Sequence, residues 1–277
     1  MRIETINLFE KYPMLAGGEH QATLKAYVHT DCGPVEESYR FPAMLICPGG
    51  GYVKLSIREQ DPMALAFYSR GFNCYVLDYS RLPEGYPKQL LQAMASVHLI
   101  RTNPEWNNSD KLSVIGFSAG GHLAGTVGSR WHESWIAETL GCDPALLRID
   151  ATVLGYPVTI CEDDSHWRSM RHYLGDAEAS MEECKKHDLR ALISDKTAPC
   201  FIWHTAEDEA VPVEDSLRYA IALRRGNVPV EMHVFPFGYH ALSVADETTA
   251  GRPQSLSPYV HRWVDMAKEW LTLILNR

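Results

Sequence analysis

One pentapeptide, Gly116-Phe117-Ser118-Ala119-Gly120, constrains this chain more than any other stretch. The apolar run Leu112-Ser113-Val114-Ile115 precedes it and Gly121-His122-Leu123-Ala124-Gly125-Thr126 follows. The local reading is a strand, a sharp turn holding one serine, and a helix start. Glycines on either side remove the Cβ atoms that would clash where backbone segments approach, and the turn requires backbone angles that few residues tolerate. Ser118 is thereby left at the carboxyl end of a strand, where a serine hydroxyl can serve as a nucleophile. The competing reading of the same five residues is an ordinary loop whose serine only caps a helix.

The rest of the chain alternates short apolar runs with longer helical patterns, which predicts an α/β fold with a mostly parallel central sheet flanked by helices. Strands are expected at 43–47, 73–77, 112–117, 151–155, 200–204 and 230–235, all nearly continuous in apolar residues and so buried on both faces. The segment 21–28 alternates instead, which predicts a half-exposed antiparallel strand at the sheet edge. Helices are expected at 61–70, 87–102, 121–130, 213–225 and 258–275. The stretch 161–197 breaks the pattern: it is rich in charged residues and histidine, with Trp167, Met170 and Tyr173 interspersed. It reads as an insertion over the carboxyl edge of the sheet, either a solvated excursion or a lid. No repeat, low-complexity segment or long linker interrupts the chain, so residues 1–277 are read as one domain.

With 277 residues, 45% of them hydrophobic and 22% charged, the chain can bury a sizeable core without cross-links. A net charge of −9, without any basic run, argues against nucleic acid or an anionic membrane as partner. No apolar stretch approaches the roughly 20 residues of a membrane span. The segment after Met1 has no apolar h-region, which predicts a soluble, cytoplasmic protein. The seven cysteines (Cys32, Cys47, Cys74, Cys142, Cys161, Cys184 and Cys200) are scattered, with no Cys-x-x-Cys pair. Neither a metal site, a cofactor nor a disulfide framework is expected. The oligomeric state is left open, a homo-oligomer included.

A serine hydroxyl needs a histidine to take its proton and a carboxylate to orient that histidine. Two later strand ends offer these groups. Asp208 lies in the acidic loop after Trp203-His204-Thr205, with Glu207 and Glu209 as alternative acids, and His240 follows Val234-Phe235-Pro236-Phe237-Gly238-Tyr239. The chain order Ser118, Asp208, His240, each after an expected strand, is that of an α/β-hydrolase. His204 and His233 lie within apolar strands and read as packed residues.

Acyl transfer also requires donors aimed at the developing oxyanion. Cys47-Pro48-Gly49-Gly50-Gly51-Tyr52 follows the first buried strand, and its glycines let backbone N–H groups approach a substrate oxygen. The expected oxyanion hole is the N–H groups of Gly50, Gly51 and Ala119. Tyr52, Trp167, Tyr173 and Tyr239 are candidates for the substrate pocket, where aromatic rings stack on a substrate ring, the competing reading of each being a core or rim residue. His122, one helical turn beyond Ser118, either lines the pocket floor or supports the turn.

These segments together resemble the α/β-hydrolase superfamily and, within it, the branch of acetyl esterases and acetylxylan esterase-like enzymes. The resemblance runs from Pro48-Gly49-Gly50-Gly51-Tyr52 and Ser56-Ile57-Arg58-Glu59, through Gly116 to His122, to His204-Thr205-Ala206-Glu207-Asp208, Val211-Pro212 and His240. It implies a sheet of about eight strands, Ser118 as nucleophile, His240 as general base, Asp208 as its orienting acid, and the 49–51 loop as oxyanion contributor. Arg58 and Glu59 would brace that loop. Many esterases of the superfamily begin the loop with histidine, whereas this chain has Pro48. The implied activity is a serine carboxylesterase hydrolysing short acyl esters, acetyl in particular, on a small-molecule substrate such as an acetylated oligosaccharide. Rival readings are an arylformamidase or small peptidase on the same triad, and a non-catalytic binding protein.

Overall fold

The computed structural model describes residues 1–30, 39–162 and 164–277, so Cys32 lies outside the described residues. Among these residues eight strands form one sheet: β1 (Arg2–Asn7), β2 (Thr23–Val28), β3 (Phe41–Cys47), β4 (Asn73–Asp78), β5 (Asn108–Phe117), β6 (Ala151–Gly155), β7 (Cys200–Thr205) and β8 (Val230–Phe235). Their order across the sheet is β1-β2-β4-β3-β5-β6-β7-β8. β2 pairs antiparallel with both β1 and β4, and every pairing from β4 to β8 is parallel.

The expected edge strand is antiparallel but not at the edge, because β1 covers it. The alternation in β2 is nonetheless real: its first four residues run half-buried, buried, half-buried, buried. β1 itself, Arg2-Ile3-Glu4-Thr5-Ile6-Asn7, is too short and polar to stand out in sequence, and its outer positions are exposed.

Along β3, Leu45 and Cys47 point into one apolar layer while Met44 and Ile46 point into the other. The first layer contains Leu90, Met94 and Val97 of the helix Lys88–Thr102, Leu123 and Val127 of Ala119–Arg130, and Tyr219 and Leu223 of Val213–Arg225. The second contains Met63 and Phe67 of Asp61–Tyr68 with Trp263 and Leu271 of Trp263–Leu275. Helices on both faces explain why the central strands read as unbroken apolar runs. Among the described residues, no helix is long and apolar enough to cross a membrane.

Register decides where the loops emerge. Cys47 lies opposite Gly116, Phe117 opposite Gly155, Gly155 opposite Trp203, and Thr205 opposite Phe235. Five parallel strands therefore end together, and the loops after β3, β5, β6, β7 and β8 share one rim, the usual ligand position in such sheets.

The segment after β6 carries the helices Asp164–Leu174 and Met181–Lys185. Tyr173 is fully buried against Tyr52, with ring centroids 5.1 Å apart, and its carbonyl accepts the Tyr86 N–H at 2.7 Å. His172 places Nδ1 2.9 Å from the Gly51 carbonyl. This segment is thus packed onto the glycine loop.

Candidate active site

Ser118 adopts φ 53° and ψ −123°, a conformation that side chains rarely occupy and that surrounding structure must impose. Its N–H donates to the Gly155 carbonyl at 3.0 Å, and its carbonyl accepts from His122 and Val158 N–H, each at 3.1 Å. A Cβ on Gly116 would strike the Gly120 carbonyl, and one on Gly120 would strike the carbonyls of Cys47 and Pro48. The glycines of the pentapeptide thus let the turn fold back against its own strand and against β3.

The His240 Nε2 atom lies 2.8 Å from Ser118 Oγ, and His240 Nδ1 lies 2.7 Å from Asp208 Oδ2. Because Nδ1 faces a carboxylate it carries the ring proton, which leaves Nε2 free to accept from the serine hydroxyl. The same Oδ2 receives His204 Nε2 at 3.1 Å, while Oδ1 accepts the N–H groups of Ala210 at 3.0 Å and Val211 at 2.9 Å. Burial alone would raise the Asp208 carboxyl; the hydrogen bonds from His204, His240 and the Val211 amide outweigh it and hold the group well below the usual carboxylate range. Asp208 is therefore ionised throughout the neutral pH range. His204 is buried, with Nδ1 2.9 Å from Ser216 Oγ. It serves as a second orienting donor that the sequence did not advertise.

Pro48 to Tyr52 lead into a short helical turn, Ile57–Glu59. The buried Glu59 carboxylate accepts the Gly49 N–H at 2.7 Å through Oε2 and the Tyr156 hydroxyl at 2.6 Å through Oε1. Tyr156 in turn accepts the Ser243 N–H at 3.1 Å, and its ring meets the His240 ring edge to face at 5.0 Å. The Ser243 hydroxyl closes the circuit by donating to the Arg58 carbonyl at 2.6 Å. One buried acid thus ties together the loops after β3, β6 and β8. Burial pushes the Glu59 carboxyl up, against the opposing pull of its Tyr156 and Gly49 donors.

Gly50 and Gly51 have φ of 129° and 67°. The Gly50 carbonyl accepts from Val53 and Lys54 N–H, at 3.2 and 3.1 Å, and the Gly51 carbonyl faces His172. Both glycines line a cleft of about 460 Å³ with Ser118 and His240. Ala119 is the first residue of its helix, where an amide has no intrahelical acceptor.

The pocket candidates divide. Tyr52 and His122 do not line the cleft: both are fully buried, with the Tyr52 hydroxyl 2.8 Å from His122 Nδ1 and His122 Nε2 2.8 Å from the His187 carbonyl. The pocket reading fails for these two, and for the equally buried Tyr173, because the cover, Tyr173 and His187, comes from the 161–197 segment far away in sequence; of the two readings of His122 only support of the turn is left. Trp167 is half-buried on that segment, its Nε1 donating to the Ala179 carbonyl at 3.3 Å and Arg171 stacked 3.7 Å above its ring. Tyr239 lines a second cleft, of about 880 Å³, together with Asp208 and His240. Tyr156 and Ser243 escaped the sequence reading; the only available signal was Tyr156 standing directly after a strand, as Ser118 does.

The family model BD-FAE matches residues 32–223. Endo-1,4-beta-xylanase B of Butyrivibrio fibrisolvens is 37% identical over 230 residues, which are 81% of this chain and 35% of that protein. The acetylxylan esterase of Xylanibacter ruminicola is 27% identical over 209 residues, 72% of this chain and 40% of its own. This chain thus spans less than half the length of these two curated relatives. The crystal structure of an acetyl ester-xyloside bifunctional hydrolase from Caldicellulosiruptor lactoaceticus matches with a TM-score of 0.81 at 30% identity, over 98% of this chain and 96% of that one. With a family model matched over more than half of its residues and the sheet, elbow serine and carboxyl-edge site in place, the chain belongs to the BD-FAE family of α/β hydrolases.

Proposed function

We propose that the protein is a serine carboxylesterase that removes short acyl groups, acetyl above all, from carbohydrate. The observation that carries this reading is the unbroken line from Ser118 Oγ through His240 to Asp208, at 2.8 and 2.7 Å. In this scheme Ser118 Oγ bonds to the ester carbon as its proton passes to His240 Nε2, and the carbonyl oxygen becomes an oxyanion facing the amides of Gly50, Gly51 and Ala119. Collapse breaks the bond to the alcohol oxygen, which takes the proton from Nε2. Water, activated by the same nitrogen, then frees the acid from Ser118. Asp208 stays ionised and orients the ring throughout.

The carbohydrate part of the reading draws on the relatives, whose names carry acetylxylan esterase, xylanase and acetyl ester-xyloside hydrolase. Its test is parallel assay of acetylated xylo-oligosaccharides, a formylated aromatic amine and a peptide anilide, with Ser118→Ala alongside. Acetate release should dominate, and Ser118→Ala should lower kcat by about 10³-fold or more. Undiminished hydrolysis by Ser118→Ala, or faster turnover of either amide, would refute the proposal.

A further inference from the structure

Two clefts meet at His240. The smaller holds Ser118, Gly50 and Gly51; the larger, about 880 Å³, runs past Asp208 and Tyr239 to Phe237, Arg252 and Gln254 and does not touch Ser118. The larger volume lies within the roughly 300–1,000 Å³ of small-molecule sites and far exceeds what an acetyl group fills.

In ester cleavage the bond between acyl carbon and alcohol oxygen breaks, and that oxygen receives the proton from His240 Nε2. The alcohol half must therefore lie on the His240 side of Ser118, where the second cleft opens. Phe237 is 71% exposed on its rim. A sugar ring presents an apolar C–H face that packs on such a ring and hydroxyls that need polar partners. Among the described residues the side chains of Arg252, Gln254 and Glu209 make no hydrogen bond or ion pair within the protein. The Arg252 guanidinium is nonetheless placed, 4.2 Å above the Tyr239 ring, whose hydroxyl bonds Ser255.

We infer that this second cleft is the subsite for sugar units beyond the acetylated one, so that the preferred substrate is an oligosaccharide. Phe237 stacks on a sugar face, and Arg252 and Gln254 bond its hydroxyls. The inference rests on the esterase reading above and deepens it.

The test uses unacetylated xylotriose and xylose as inhibitors of 4-nitrophenyl acetate hydrolysis by the wild type, Phe237→Ala and Arg252→Ala. Xylotriose should compete at least about tenfold more strongly than xylose, and each substitution should raise its inhibition constant about tenfold. Calorimetry of xylotriose binding to Ser118→Ala should show the same preference for the trimer without any turnover. Absence of inhibition, equal inhibition by xylose, or unchanged constants in both variants would overturn the subsite. Hydrolysis that survives in Ser118→Ala would overturn the esterase reading instead, so the two failures are distinguishable. Phe237 and Arg252 are exposed, so their removal leaves the fold intact.

Discussion

The Glu59 carboxylate accepts the Gly49 N–H at 2.7 Å inside the protein, which removes the first glycine amide from any contact with substrate. Of the three consecutive glycine amides, only those of Gly50 and Gly51 can serve an oxyanion. The acid also receives Tyr156, so the loop it braces is tied to the loop that carries His240.

Glu59→Gln keeps the shape but replaces one acceptor oxygen with a donor facing Gly49 N–H or the Tyr156 hydroxyl. A buried polar group left unpaired costs about 1–3 kcal/mol. The variant should lose several degrees in Tm and about tenfold in kcat/KM, measured by calorimetry and short-chain ester hydrolysis. A variant indistinguishable from the wild type in both would show that Glu59 does not hold the loop.

Gly50→Ala and Gly51→Ala should differ sharply although the residues are neighbours. A Cβ at Gly50 would collide with the Lys54 carbonyl, whereas one at Gly51 meets nothing within 4 Å. Gly51→Ala incurs only the left-handed backbone cost of about 1–2 kcal/mol, and its amide stays in place. Gly50→Ala must move the loop and should lower kcat by about 100-fold, against less than about fivefold for Gly51→Ala. Equal losses in steady-state assays would place the oxyanion contacts elsewhere.

Burial pushes the His122 and His187 imidazoles down to about 4 from the ordinary value of 6.5. Between those two pH values the unfolded chain binds protons that the folded one refuses, so stability falls as pH drops from 6.5 to 4. For the fully buried His122 the loss is on the order of 3 kcal/mol. Asp208 acts further down: its depressed carboxyl contributes stability above its usual titration range near 4 and loses it as the solution becomes more acid. Tm followed from pH 7 to 4 should decline steadily, and His122→Gln should flatten that decline. Parallel profiles for the two proteins would rule out a neutral buried His122 as its source.

Strand ends were legible because each closes a local apolar run, as at Phe117 before Ser118 and at Phe235 before Pro236; the end expected at His204 falls one residue short of Thr205. The helices Val213–Arg225 and Lys88–Thr102 were legible for the same reason. β1 was not, since its six residues acquire their strand character by pairing with β2. Among Glu207, Asp208 and Glu209, sequence offers three acids in a row. The loop conformation turns Asp208 inward to His240 and His204 and leaves Glu207 to accept the Gly238 N–H at 3.0 Å.

Sequence by itself determined which side chains stand at the ends of which strands, because hydrophobic periodicity and glycine placement act over a few residues. Tertiary structure alone decided which of those ends are neighbours and which aromatic residues are walled in. The strand register brings Ser118, Asp208 and His240 within hydrogen-bond distance across 122 residues of chain. The packing of residues 161–197 buries Tyr52 and His122, and the same sheet edge leaves the second cleft open beside His240. Those outcomes depend on contacts between segments distant in sequence, and the local pattern of no single segment encodes them.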